Sequence, residues 1–223
     1  MHQIELLHTD CMEYMAGLPD KAFDLCIVDP PYGAGMSISM PRSKQVAAAW
    51  NTAPGAEYFA ELRRVSENQV VWGGNYFDLP PSRCMLVWDK CFGVDNLSGV
   101  ELAWTSFDKV AALFRHANHG FMRDADDTGH PTPKPVALYR WLLQNYAKKG
   151  QRILDTHLGS GSIAIACDLE GFDLVGCELD ADYIKAARHR LAVHQSAPRL
   201  FEATPAGLPQ QLSLGDDVLS DGT

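Results

Sequence analysis

Positive charge is scarce in this chain: 19 Lys and Arg stand against 28 Asp and Glu in 223 residues, a formal charge of −9. A protein that grips nucleic acid ordinarily shows the opposite balance, because basic side chains neutralise phosphates and release counterions. Such a role would have to rest on a local basic rim. Part of the acidity falls on Glu202, Asp216, Asp217 and Asp221, while Arg42, Lys44, Arg115, His116, His119 and Arg123 lie in two loop-like segments. Paired cysteines are also lacking. Cys11, Cys26, Cys84, Cys91, Cys167 and Cys177 stand singly and no C-x-x-C occurs, which argues for reduced thiols and against a disulfide framework or a zinc knuckle. His116, His119 and His130 have no cysteine or paired-ligand spacing beside them, so no metal is expected. No apolar run approaches the roughly 18 residues of a membrane span, and Met1-His2-Gln3-Ile4-Glu5 has no basic stretch leading into an apolar signal core. The expectation is a cytoplasmic protein without a membrane partner.

With 46% hydrophobic residues, a chain of this length can bury one full core, and a single α/β domain over 1–195 is the natural reading. Short apolar runs predict strands at Ile4 to Leu7, Phe23 to Val28, Gln69 to Trp72 and Cys84 to Trp88. Val100 to Trp104 and Val110 to Phe114 are close enough to predict a hairpin around Ser106-Phe107-Asp108. Helical spacing is found at Tyr58 to Val65 and after Pro135, through Leu138, Trp141, Leu142 and Tyr146. Strand Arg152 to Asp155, helix Ser162 to Leu169, strand Asp173 to Cys177 and helix Ala181 to Leu191 form a β-α-β-α series. The fold class expected is a mixed, doubly wound α/β sheet. Segments 33–55 and 115–129 are too irregular for the core and read as substrate-facing loops, and 196–223 as a loose tail.

The chemistry concentrates in two places. Asp29-Pro30-Pro31-Tyr32 follows the apolar run 23–28 directly. Two prolines stiffen the backbone and donate nothing, so the Asp29 and Pro30 carbonyls stay free to accept, beside an acid and an aromatic face. That set suits a flat molecule bearing an amino group, although a proline-stopped strand under a covering tyrosine has the same local form. The second place is Ile153-Leu154-Asp155-Thr156-His157-Leu158-Gly159-Ser160-Gly161-Ser162, a strand turning through G-x-G into a helix, with Glu178 at the end of the next strand. An acid there can hold two ribose hydroxyls. The third glycine of the dinucleotide fingerprint is missing, with Ile165 in the helix where a pyrophosphate needs room, and no Walker lysine follows the loop. A nucleoside without phosphates remains, and S-adenosylmethionine fits.

With Asp29-Pro30-Pro31-Tyr32 first, His130-Pro131-Thr132-Pro133-Lys134-Pro135 next and the glycine loop last, the chain resembles the β-class amino-methyltransferases of DNA, most of all the small prophage-type adenine methylases. The resemblance covers most of residues 4–190. It implies a Rossmann-like S-adenosylmethionine-dependent fold with a seven-stranded sheet and circularly permuted motifs. It implies Asp29, Pro30, Pro31 and Tyr32 as catalytic residues, with the Asp-Pro-Pro-Tyr form favouring N6 of adenine. It further implies Asp10 and Cys11 at the edge of the cofactor's adenine and Glu178 at its ribose. Asp29, Asp155, Gly159, Ser160 and Gly161 would lie along its methionine part, with Thr132 and Lys134 near the carboxylate. Asp10 alone also reads as a helix cap. Two positions depart from the family: Pro133 replaces its usual glutamine and His157 its usual phenylalanine.

On this reading the partner is DNA, met through Arg42, Lys44, Arg115 and Arg123, and a homodimer is left open. Three rival readings stand beside it: N4 of cytosine as the target, RNA as the substrate, or a catalytically silent subunit that binds nucleic acid.

Overall fold

The computed structural model describes residues 2–33, 52–91, 98–117 and 133–197. Its centre is one eight-stranded sheet in the order β1-β8-β7-β2-β3-β5-β4-β6. The strands are β1 (Ile4–His8), β2 (Phe23–Val28), β3 (Ser66–Trp72), β4 (Leu86–Asp89), β5 (Val100–Thr105), β6 (Ala112–Arg115), β7 (Arg152–Asp155) and β8 (Asp173–Glu178). Five helices accompany them: α1 (Cys11–Ala16), α2 (Ala56–Val65), α3 (Val136–Tyr146), α4 (Ser162–Glu170) and α5 (Ala181–Ser196). The strands β1, β8, β7, β2 and β3 run parallel, and β5 reverses between β3 and β4.

The central strands are apolar on both faces, as a sheet covered by helices on each side requires. Leu25, Ile27, Val70, Trp72, Ile153 and Leu174 pack with Leu138, Leu142, Ile163 and Ile184, from α3, α4 and α5. Their immediate neighbours Cys26, Val28, Val71, Leu154 and Val175 face the other way, toward Met15 of α1 and Tyr58, Phe59 and Leu62 of α2. This alternation along contiguous strands makes the fold doubly wound, and each aliphatic side chain so buried contributes about 1.5–3 kcal/mol.

Eight strands replace the seven expected, and the hairpin of the fifth and sixth does not form. The four-residue strand β4 takes the free edge of β5, with Leu86 opposite Ala103 and Asp89 opposite Val100. Side chains pin that approach, since Ser82 Oγ donates to the Thr105 carbonyl at 2.6 Å and Thr105 Oγ1 to the Cys84 carbonyl at 2.7 Å. With β3 already on its other side, β5 has no edge left. Strand β6 therefore adds in parallel to β4, from Leu86 opposite Ala112 to Asp89 opposite Arg115. Val110 remains outside the strand and exposed.

Strands β2 and β7 are hydrogen-bonded neighbours, with Leu25 opposite Ile153 and Cys26 opposite Leu154, although more than a hundred residues separate them. The loops after Val28 and after Asp155 consequently leave the sheet side by side at its carboxyl end, the switch region where doubly wound sheets bind ligands.

Candidate functional site

Four adjacent parallel strands, β1, β8, β7 and β2, bring their carboxyl ends and the acids beyond them into one row. At β1 and β8 the register sets His8 opposite Glu178, and the Thr9 amide donates to the Glu178 carbonyl at 3.1 Å. Asp10 comes next and caps α1, its Oδ1 accepting from the Met12 and Glu13 amides at 2.7 and 3.2 Å. The helix-cap reading of Asp10 is thus realised, and it also holds Asp10 and Cys11 beside Glu178. Burial, followed by the Asp10 charge, pushes the Cys11 thiol up to about 11, leaving it neutral.

Glu178 is oriented by the backbone: Oε2 accepts from the Gly159 amide at 2.8 Å and Oε1 from the Asp180 amide at 2.9 Å. Each oxygen keeps a further lone pair. Both loop glycines lie in the left-handed region, Gly159 at φ 51° and Gly161 at φ 73°. Gly161 serves helix packing, because a Cβ there would stand 2.9 Å from Ala187 Cβ of α5. Ser160 Oγ pairs with Ser162 Oγ at 3.1 Å, and its carbonyl accepts from Arg190.

Asp155 is buried at the end of β7, where its Oδ1 accepts from the His157 amide at 2.9 Å. Burial pushes its carboxyl up to about 8; the His157 amide opposes this, while the charges of Asp29 and Glu178 add to it. His157 is driven the other way, down to about 4, chiefly by burial against the partial opposition of Asp29 and Asp10. Its neutral ring sits edge-on to Tyr58 with centroids 5.5 Å apart, and Nδ1 lies 2.9 Å from Thr156 Oγ1. Tyr58 closes the group, its hydroxyl 2.6 Å from the same Thr156 oxygen.

The Asp29 carboxylate has a partner on each oxygen. Tyr32 donates its hydroxyl to Oδ1 at 2.7 Å, and the Lys134 ammonium pairs with Oδ2. The Tyr32 ring tilts against Tyr76 with centroids 5.1 Å apart and lies over the bare backbone of Gly73. Gly73 is left-handed at φ 66°, and a Cβ there would meet Tyr32 Cε1 at 2.1 Å. Gly73→Ala should therefore displace the aromatic face and loosen the Tyr32 hydroxyl bond to Asp29; if the ring is a stacking platform for a base, a binding titration against an oligonucleotide should show weakening on the order of tenfold. Unchanged binding would mean the ring is not where the base lands.

Lys134, expected near a cofactor carboxylate, is buried and also faces Glu101 of β5, at 3.2 Å from Oε2. Burial alone would lower its pKa, but Asp29 and Glu101 outweigh that and raise it well above the ordinary lysine value. Neither Glu101 nor Lys90, which holds the other Glu101 oxygen at 2.6 Å, was singled out from the sequence. The available signal was a lone acid on the largely apolar strand Val100–Thr105. Arg115 ends β6 and donates from Nε to Asp89 at 3.2 Å. Thr132, Arg42, Lys44 and Arg123 lie outside the described residues, as do most of segments 33–55 and 115–129 and residues 198–223.

A model of the DNA methylase family matches residues 87–189, from β4 to α5. Over that stretch the chain is similar to the DNA methylases. It is 26% identical to YubD of Escherichia coli (strain K12) over 209 residues, 84% of this chain and 90% of that protein. It is 24% identical to the type II methyltransferase M2.DpnII of Streptococcus pneumoniae over 238 aligned positions, 83% of this chain and 88% of that one. Among solved structures, the fold is that of the M1.HpyAVI–SAM complex (TM-score 0.57, 20% identity, 85% of this chain and 100% of that one). It is equally that of the cytosine-N4-specific PvuII DNA methyltransferase (TM-score 0.60, 11% identity, 91% and 89%). The sheet thus shares the fold of these methyltransferases, and its row of acids lies at the carboxyl ends of the parallel strands.

Proposed function

We propose that the chain transfers a methyl group from S-adenosylmethionine to the N6 amino group of adenine in DNA. One observation carries this reading: Glu178, Asp155 and Asp29 stand at the ends of adjacent parallel strands, and among the described residues one buried cation, Lys134, lies beside them. Such a site favours a ligand that is cationic and bears a ribose. Glu178 has lone pairs left for two ribose hydroxyls, Asp10 and Cys11 flank it for the adenine edge, and Asp155 with the Gly159–Gly161 backbone suits the methionine part. Bound there, S-adenosylmethionine supplies an electrophilic methyl group on a sulfonium.

The residues of the β2 loop do the rest. The exocyclic nitrogen of adenine is a poor nucleophile because its lone pair is conjugated into the ring. Asp29 and the Pro30 carbonyl accept its two hydrogens, draw it toward tetrahedral geometry and aim the lone pair along the line of transfer. The amino group is out of reach inside a duplex, so the base is flipped or already single-stranded, and Tyr32 stacks on it. The Asp-Pro-Pro-Tyr form supports adenine over cytosine. Segments 33–55 and 115–129 face the nucleic acid, consistent with the position of Arg115 at the carboxyl end of β6, which runs in the same direction as β2.

Incorporation of labelled methyl into separate DNA and RNA polymers, followed by digestion to nucleosides, tests the reading. N6-methyladenine from DNA is expected. Label in N4-methylcytosine overturns the target base, label in RNA alone overturns the substrate, and no incorporation overturns the activity.

A further inference from the structure

Behind the catalytic loop runs a chain of four alternating charges that crosses the sheet, Asp29–Lys134–Glu101–Lys90. Lys134 is 7% exposed, and its ammonium lies 5.3 Å from the centroid of the Trp72 ring of β3. An isolated ammonium in such a place would be costly, whereas one between two carboxylates is stabilised. Glu101 is therefore the second half of the cradle that holds Lys134 on Asp29. Its own carboxyl would be raised by burial, but Lys134 and Lys90 outweigh this and keep it below the usual range.

We propose that Glu101 is a positioning residue for methyl transfer: it holds Lys134 against Asp29 and so fixes the carboxylate that accepts the target amino hydrogens, with Lys90 balancing its other oxygen. This rests on the function proposed above. The Asp29 carboxylate has to accept at a fixed angle, and its freedom is removed by Tyr32 on one oxygen and Lys134 on the other. Lys134 in turn is oriented by Glu101 from β5 and by the Trp72 face from β3. The remaining titratable groups that act on it are Tyr32, Tyr139 of α3 and Asp155 of β7. Among all the groups that act on Lys134, Glu101 alone combines a full negative charge with no place in the acceptor or glycine loops.

Glu101→Gln keeps the shape and removes the charge, and thermal melting confirms the fold of each variant. The expected result is a loss of about tenfold in kcat with cofactor Kd within about threefold, and an alkaline limb of the pH–rate profile displaced downward, because Lys134 then faces one carboxylate instead of two. Lys90→Gln removes a repelling cation and should move the same limb upward. The protonation of Lys134 is read separately by its acetylation with acetic anhydride from neutral to alkaline pH, which should begin earlier in Glu101→Gln. An active wild-type chain whose Glu101→Gln profile superimposes on it overturns the positioning role alone, as does a loss confined to cofactor affinity. A wild-type chain that transfers no methyl group overturns the functional reading and the positioning role with it, even where the acetylation of Lys134 shifts as described.

Discussion

Asp29→Ala is expected to lower the rate of methyl transfer by about 10²–10³-fold while changing cofactor affinity only a few fold, since its carboxylate acts on the acceptor and not on the cofactor. The structure explains why no neighbour substitutes for it. The Lys134 ammonium has no lone pair with which to accept an amino hydrogen, and the Tyr32 hydroxyl, which donates to Asp29, is a neutral and much weaker acceptor than the carboxylate. Removing the carboxylate also leaves Lys134 with Glu101 as its one acidic ion-pair partner among the described residues. Single-turnover rates with labelled cofactor, set beside calorimetric Kd values, separate the two effects. A variant that methylates at a tenth of the wild-type rate or faster would place the acceptor elsewhere.

Cofactor affinity should rise steeply with pH and level off above about 8, weakening by about tenfold for each unit below that value. The cause is Asp155, whose buried carboxyl is pushed up to about 8 and is protonated at neutral pH in the free protein. A cationic ligand favours the carboxylate, so binding at neutral pH releases a proton, and calorimetry in buffers of different ionisation enthalpy measures it. Stability moves in the opposite sense. The folded carboxyl holds its proton up to about 8 and the unfolded one only up to about 4, so the folded state binds more protons in this window and stability falls as pH rises through it. Asp155→Asn removes that dependence. Its Tm should exceed the wild-type value at mildly alkaline pH and converge with it in acid, while cofactor affinity drops and loses its slope. An affinity independent of pH would remove Asp155 from the ligand site.

The acids of the row were legible because each follows a contiguous apolar run: Asp29 follows 23–28, Asp155 ends 152–155 and Glu178 ends 173–178. A strand announces its own end within a few residues, and a stiff Pro-Pro or a left-handed glycine then dictates the local turn whatever the rest of the chain does. The helices after Pro135 and Asp180 were readable for the same reason, since caps and periodicity are properties of neighbouring residues. Which strand lies beside which is not such a property. Strands β5 and β6 look like a hairpin in sequence, yet β4 separates them, because an edge can be occupied once and β4 holds that of β5.

The charge chain behind Asp29 shows the same division. Its links join residues 105, 33 and 11 positions apart, and its strength comes from the low exposure of Lys134. Asp155 is likewise an ordinary acid in the sequence and becomes a carboxyl titrating near 8 only through burial beside Asp29 and Glu178. Residue types, strand ends and turn chemistry were determined by the sequence alone because they follow from sterics over a few bonds. Strand order, ion-pair partners and proton affinities were decided by the tertiary structure, because desolvation and Coulomb attraction depend on distances in space that chain position does not set.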